Sequence, residues 1–468
     1  LNRKIYLPRG KTLGGSSSTN AMAYVRGNAK DYDGWAKLGN EGWGYDDVLP
    51  FFKKSENHQQ INELDSDYHG DSGELNVTLP TRFKTPYVDG FITACKNNGI
   101  NENRDYNGST QYGVGLVHST IKDGKRHSAA AAFLKPVLNR SNLNVITHAK
   151  VCKIILKDKK AVGVEYTRGS KKIQVNSEKE VILSAGAFQS PQLLMLSGLG
   201  DSLELKKHGI DCLHELKGVG KNLQDHLFYP ICVKSKTQDG INHYISPFNQ
   251  LKATWDYFIN KKGVFCVGPL EGMAFFDLKQ NDGNVNFQLH FSPICIDDKY
   301  GYDAYDLYDF PRSDGFTILP TLLHPKSRGV VSLSSSNPND IPIIQPNFFQ
   351  RKEDLDQLVK GGRFVFKLMN DKALKNHKLR DGLPLDRVSE DFLIEHIKKT
   401  LETVYHPVGT CKMGNDSLAV VNPLLKVHGI SNLRVVDASI MPKIISGNTN
   451  ACVYMIAEKA AYMILNKL

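Results

Sequence analysis

The chain has 468 residues, 41% of them hydrophobic and 23% charged, the balance of a globular protein long enough for two or more sizeable cores. No apolar run approaches the roughly 18 residues that cross a bilayer. The net charge of +10 comes from scattered lysine clusters such as Lys157-Asp158-Lys159-Lys160, without the arginine–aromatic interleaving of a nucleic-acid surface. The basic surface reads as solvated, with peripheral attraction to an anionic membrane face as the minority alternative. The eight cysteines form no C-x-x-C pair, and none has zinc-ligand spacing to a histidine. The expectation is a reduced chain without a metal, cytoplasmic or peripherally attached to an inner membrane.

In residues 8–35, Gly14-Gly15 removes Cβ at two successive positions, so that a cofactor can approach the backbone closely. Ser16, Ser17, Ser18 and Asn20 add donors and acceptors, and the run passes directly into apolar residues, unlike a flexible linker. Residues 41–127 look loop-rich: a polar tract at 57–71 that is either part of a lid or a plain surface loop, a helix over 85–100 and a Gly/Asn/Tyr-rich loop at 105–115. Ser128 is placed to cap a helix over 129–137. Short β-rich runs follow at 144–147, 151–156, 161–166 and 173–175. Residues 180–186 form an apolar strand ending in Ser184-Ala185-Gly186, the way parallel strands meet cofactors. Ser190-Pro191 reads as the cap and first turn of a helix continuing over 192–197. Further on, 285–291, 316–323 and 329–333 read as strands of an antiparallel sheet, and 353–369 and 389–401 as helices. Tyr-Asp dipeptides enrich the stretch 300–316.

The C-terminal stretch carries the candidate chemistry. A short apolar strand over 433–436 ends in Asp437, and the turn Ser446-Gly447-Asn448 opens a final helix over 452–467 with Asn448 as its expected N-cap. Free N–H groups and about half a positive charge at that helix start suit an anion such as a reduced flavin. His406 precedes Pro407 on a loop. Beside an amide side chain, a histidine can take the proton of an alcohol O–H. Taken alone, an ordinary loop histidine and an ordinary cap remain the weightier reading.

Two longer stretches shift that balance. Residues 10–33 resemble the first signature of the glucose–methanol–choline (GMC) oxidoreductases. Gly186-Ala187-Phe188-Gln189-Ser190-Pro191-Gln192-Leu193-Leu194-Met195-Leu196-Ser197-Gly198-Leu199-Gly200 resembles the second, and 218–226 resembles the loop after it. The resemblance runs from Pro8 to Lys467. It implies an α/β fold with a discontinuous Rossmann-like FAD-binding domain (1–40, 128–235 and 405–468) and an α+β substrate domain with an antiparallel sheet (41–127 and 236–404). His406 and Asn448 match the family's active-site pair. Gly15, Ser16, Asn20, Ala21 and Ala23 match flavin contacts, and Val151 the adenine side. Asp437 and Ala438 match the turn near the phosphate and ribityl chain, and Thr449 and Asn450 lie with Asn448 against the isoalloxazine. Thr19 stands where some members carry a flavin-linked histidine, so FAD is expected to be held noncovalently.

The implied reaction is oxidation of a small alcohol by hydride transfer to flavin N5, with electrons passed to a quinone-like acceptor. The group it suggests is choline or alcohol dehydrogenase-like, with Val408-Gly409-Thr410 arguing against choline. An O2-using alcohol oxidase, a hydroxynitrile lyase and an inactive fragment are the alternatives. Glu271 either faces a cationic or hydroxylated substrate or is a buried structural carboxylate, and His226 by itself reads as structural. No strand-led G-x-G-x-x-G turn occurs. The expectation is therefore that the family's N-terminal FAD βαβ unit is missing from these residues.

Overall fold

The computed structural model describes residues 3–278, 285–296, 309–377 and 388–468. Its largest sheet grows from runs that are buried on both faces, including the polar side chains of the alternating run Phe287–Ser292. All eight positions of the strand Gly315–Leu322 are buried. It pairs antiparallel with Phe287–Ser292, Ile231–Lys234 and Leu227–Phe228. Phe287–Ser292 continues to Gly272–Phe276 and then to Gly113–Leu116. The expected helices appear as Pro86–Asn97, Lys352–Met369 and Glu390–Thr400. Residues from all three join Phe91, Phe287, Phe316 and Leu358 in one core.

A second core gathers Trp35, Leu194, Val435 and Met455 from distant parts of the chain, and Trp43, Phe52 and Val77 join it. Here Val181–Leu183 pairs in parallel with Leu433–Val435. A meander of Lys150–Lys157, Lys160–Arg168 and Lys171–Asn176 stands beside it. The architecture is α/β, a Rossmann-like half joined to a half built on the antiparallel sheet.

Several local expectations need correction. The helix expected to open at Ser190-Pro191 opens at Gly186 and runs to Leu196, with Pro191 inside it. Proline cannot donate to the carbonyl four residues back. That carbonyl, Ala187 O, instead accepts the Thr410 hydroxyl at 2.6 Å. Ser190 spends its hydroxyl on Asp437 at 2.5 Å, and Asp437 also accepts the Gly186 N–H at 2.9 Å. Residues 144–147 form no strand, and Val145 and Ile146 are exposed. The glycine-rich stretch read as loop supplies the strand Gly113–Leu116. A Cβ at Gly113 or Gly115 would collide with Asn103, whose segment hydrogen-bonds along the strand.

Residues 329–333 form a strand, Val330–Ser332, but it pairs with Ile343–Gln345 in a separate ladder. Over 129–137 the chain makes a π turn, Ala130–Leu134, and a 3-10 turn, Lys135–Val137, with Ser128 Oγ accepting from Ala131 N. The tract 57–71 is tied down by pairing of Glu56–His58 with Leu75–Val77 and an Asn57–Asp71 bridge, and it buries His58 and His69. The tyrosines of the Tyr-Asp dipeptides lie outside the described residues.

Candidate active site

Residues 405–410 cannot be a free loop. Tyr405 takes φ 61° and Gly409 φ 89°. Neighbouring segments hold both ends of the turn. Arg9 donates to Tyr405 O at 3.0 Å, and Asp225 accepts the His406 N–H at 2.8 Å. Gln224 and Val408 exchange backbone hydrogen bonds. The Gln224 side chain also donates to Pro442 O and accepts from Ile444 N, which draws residues 442–448 alongside. Gly447 has φ 148° and packs where a Cβ would strike Val25. That close turn delivers Asn448. The final helix spans Asn450–Leu465 with Thr449 at its N-cap and no side-chain cap bond. Asn448 is thus not the cap, because its side chain is engaged elsewhere.

Asn448 Nδ2 lies 3.3 Å from His406 Nε2, and Gln288 Nε2 donates to Asn448 Oδ1 at 3.0 Å. On the other side of the ring, His406 Nδ1 lies 3.0 Å from His226 Nδ1, and His226 Nε2 lies 3.1 Å from Leu323 O. A carbonyl only accepts, so His226 carries its proton on Nε2. Burial, with His324 next, pushes the His226 pKa down to about 3, so the ring is neutral and its Nδ1 is a lone pair. His406 must then donate from Nδ1. Burial, with His226, His290 and Arg9, holds His406 well below the usual histidine range. The neutral ring therefore presents a lone pair at Nε2 toward Asn448. A chain of hydrogen bonds starting at a backbone carbonyl selects the tautomer that a base requires.

Gln288 and His290 project from the same face of the strand Phe287–Ser292. Gln288 Oε1 and His290 Nε2 are buried without a hydrogen-bond partner among the described residues. His290 Nδ1 is taken by Thr321 at 3.0 Å. Unpartnered buried polar atoms are costly and rare, so this cluster is built to receive a polar group.

The expected cofactor residues lie on the Gly14-Gly15 turn and the stretch after it, on the Asp437-Ala438 turn, at the start of the last helix and on the meander. Gly14 and Gly15 take φ 86° and 55°, and the space over Gly15 is open. Ser16 accepts from Gly10 N, and Asn20 Oδ1 accepts from Met22 N and Arg126. The Ala21 carbonyl packs against Gly268, and Ala23 is buried in a bridge with Ser119. Ala438 O accepts from Gly409 N, which joins the Asp437-Ala438 turn to the His406 loop. Asn450 Nδ2 is buried without a hydrogen-bond partner among the described residues, beside Thr449 at a helix start with no side-chain cap bond. Val151 stands on the first meander strand opposite Tyr166. Open space over Gly15, an orphaned amide and free helix N–H groups fit a flavin.

Glu271 does not face this pocket with a free carboxylate. Its two oxygens accept from Thr85 N at 2.9 Å and Thr85 Oγ at 2.6 Å, at the start of Pro86–Asn97. Burial pushes its pKa up to about 7. Sequence reasoning missed Asp225, His226, Gln288 and His290 as members of the site. The usable signals were three chemistry-bearing residues in succession at 224–226, and two polar side chains on one face of an apolar strand.

Two profiles described as GMC oxidoreductase match residues 1–228 and 325–457. An alcohol dehydrogenase [acceptor] of Pseudomonas putida is 41% identical over 471 positions, covering 100% of this chain and 83% of the relative. An oxygen-dependent choline dehydrogenase of Sinorhizobium medicae is 38% identical, with the same coverage. Among solved structures, pyridoxine 4-oxidase from Mesorbium loti superimposes with TM-score 0.87 at 28% identity, covering 99% of this chain and 86% of that one. A variant formate oxidase of Aspergillus oryzae, studied for FAD modification, gives 0.88 at 28%, covering 98% and 84%. The chain belongs to the GMC oxidoreductase family of flavoproteins.

Proposed function

We propose that the protein oxidises an alcohol to an aldehyde or ketone, using noncovalently held FAD. The observation that carries this reading is the His406 Nε2 lone pair, set by His226 and facing the Asn448 amide beside buried, unpartnered polar atoms. Gly15, Ser16, Asn20, Ala21, Ala23, Asp437, Ala438, Thr449 and Asn450 would hold the flavin, with Val151 toward the adenine. When bound, FAD supplies the acceptor for the hydride that leaves the carbinol carbon. His406 takes the hydroxyl proton, and its Nδ1–H stays on His226. The Asn448 amide donates to the substrate oxygen while Gln288 holds that amide in orientation. His290 Nε2 and Gln288 Oε1 offer the substrate hydroxyl two further partners.

Thr19 has no ring nitrogen to link a flavin, which supports noncovalent binding through that position. The names of the relatives support alcohol oxidation; one names an unspecified acceptor and another is named oxygen-dependent. A quinone-like acceptor is the reading we favour. The two hydrophobic cores support separate flavin and substrate domains. The parallel ladder Val181–Leu183/Leu433–Val435 has two strands among the described residues, and Ile182 is exposed. That open ladder supports completion of the flavin domain by a βαβ unit outside these residues.

A panel of alcohols mixed anaerobically with flavin-loaded protein tests the proposal. Bleaching of the flavin absorbance, followed by quinone or dye reduction, is the expected result. Peroxide formation would replace dehydrogenase with oxidase, cyanide release from cyanohydrins would make the protein a lyase, and absence of bound flavin would overturn the reading altogether.

A further inference from the structure

The helix Pro247–Trp255, continued by the π turn Asp256–Asn260, is inverted relative to an ordinary surface helix. Surface helices turn their apolar stripe inward. Here Phe248, Leu251, Trp255, Phe258 and Ile259 are 79, 70, 64, 61 and 60% exposed, while Ala253 on the opposite side is 1% exposed. At about 100° per residue, these large side chains share one outward stripe. Phe265, 47% exposed, extends it past the turn. Six such side chains present on the order of 700 Å² of apolar surface, more than the few hundred Å² a monomer ordinarily leaves uncovered.

The rim of this stripe is basic. Lys252, Lys261 and Lys262 are exposed within the same segment. The hairpin Ile121–Lys122/Lys125–Arg126 abuts it, since Gly124 packs on Cys266, and adds exposed Lys122 and Lys125. The acidic groups are Asp123, 3.7 Å from Arg82, and Asp256, which accepts from Asn260. The segment is firmly seated: Arg82 donates to Lys261 O at 2.7 Å and accepts from Gly263 N at 3.3 Å. It then runs through Gly268, packed on Ala21, into the strand Gly272–Phe276 of the antiparallel sheet.

We propose that this face docks on an anionic phospholipid bilayer. The stripe enters the boundary between headgroups and acyl chains, and the lysines meet the anionic headgroups. Nothing spans the bilayer in this arrangement: among the described residues no helix is long and apolar enough to cross one. A second copy of the chain is the poorer occupant. A two-fold interface would set the lysine rim against its own like charge.

Trp255 is an internal probe, because Trp35 and Trp43, the other two tryptophans, are fully buried. Full-length flavin-loaded protein is mixed with vesicles of phosphatidylcholine containing about a quarter phosphatidylglycerol, or with phosphatidylcholine alone. The expected result is co-sedimentation and a blue shift of Trp255 emission with the anionic vesicles. Partitioning should weaken by about tenfold or more in Phe248→Ser/Leu251→Ser and in Lys261→Glu/Lys262→Glu. Turnover with a soluble dye should be unchanged in both. No shift and no co-sedimentation with anionic vesicles, or binding by both variants as tight as that of the wild type, would overturn the proposal. So would light scattering that shows a dimer broken by the Phe248/Leu251 variant, which would make the face a self-association surface.

Discussion

Two buried histidine networks in this molecule start alike and end differently. His226 meets His406 with ring centroids 5.2 Å apart, and His58 meets His118 at 5.1 Å. In the second network every ring nitrogen is engaged. His58 lies 3.1 Å from His118 and accepts from Gln60 N, and His118 Nε2 lies 3.1 Å from Arg104 O. His69 sits between Glu56 at 3.0 Å and Asp105 at 2.9 Å, and Arg26 reaches Glu56 at 2.6 Å. Burial opposes a charge on His69, but Asp105 and Glu56 outweigh it and raise its pKa. That network is closed at its ring nitrogens, although Glu56 Oε1 is buried without a partner among the described residues, and it fastens the 57–71 tract to the body of the protein. The network at His406 touches no carboxylate through its rings, and it ends in a lone pair that meets the Asn448 amide at 3.3 Å, beside His290 Nε2, which has no partner among the described residues. A ring lone pair that meets an amide marks the site, where the number and proximity of histidines do not.

The difference can be broken most severely at His406. His406→Ala should keep flavin bound and slow its anaerobic bleaching by alcohol about 10²–10⁴-fold. Wild-type bleaching rates would remove His406 from the chemistry. Next comes the tautomer. His226→Leu removes the acceptor for His406 Nδ1–H and should slow bleaching about 10²-fold, while His226→Asn, which keeps an acceptor oxygen there, should recover most of the rate. Equal loss in both variants would make His226 a packing residue only.

The closed network should respond in stability instead of rate. His69→Leu removes one partner each from Glu56 and Asp105 and should cost about 3 kcal/mol in denaturant unfolding, with turnover per folded molecule unchanged. The sign with pH follows from the raised pKa. The His69 contribution is complete below the unfolded value and is lost as pH rises through the folded one, so the gap between wild type and variant should narrow at high pH. The smallest effect is expected at Glu271, whose folded pKa is raised from 4.5 to about 7. The folded protein holds that proton across the interval while the unfolded chain releases it. Wild-type stability therefore falls as pH rises from about 4.5 to 7, and Glu271→Gln should flatten that part of the profile without changing turnover. An unchanged slope would mean that Glu271 is ionised in the fold.

The two motifs that meet at the site, His406 and Asn448, stand 42 residues apart and were legible from chemistry and family resemblance. So were the helices Lys352–Met369 and Glu390–Thr400, whose apolar positions recur at helical spacing. The helix opening at Gly186 was not legible. A proline ordinarily marks a first turn, and only Thr410, far away in the chain, supplies the hydrogen bond that lets Pro191 sit inside. The strand Gly113–Leu116 looked like loop because its glycines answer to a close neighbour and not to a turn. His226 looked structural because its role lies in which nitrogen carries a proton. That depends on Leu323 O, a backbone atom no side-chain pattern reveals.

The most direct test of the central claim is the protonation of those rings. Histidine labelled with ¹⁵N in both ring positions, with His406→Ala and His226→Asn used for assignment, reports each nitrogen separately in flavin-loaded protein without alcohol. The account predicts a proton on His406 Nδ1, a bare His406 Nε2 and a proton on His226 Nε2. A proton on His406 Nε2, whether in the other tautomer or in an imidazolium, would contradict it.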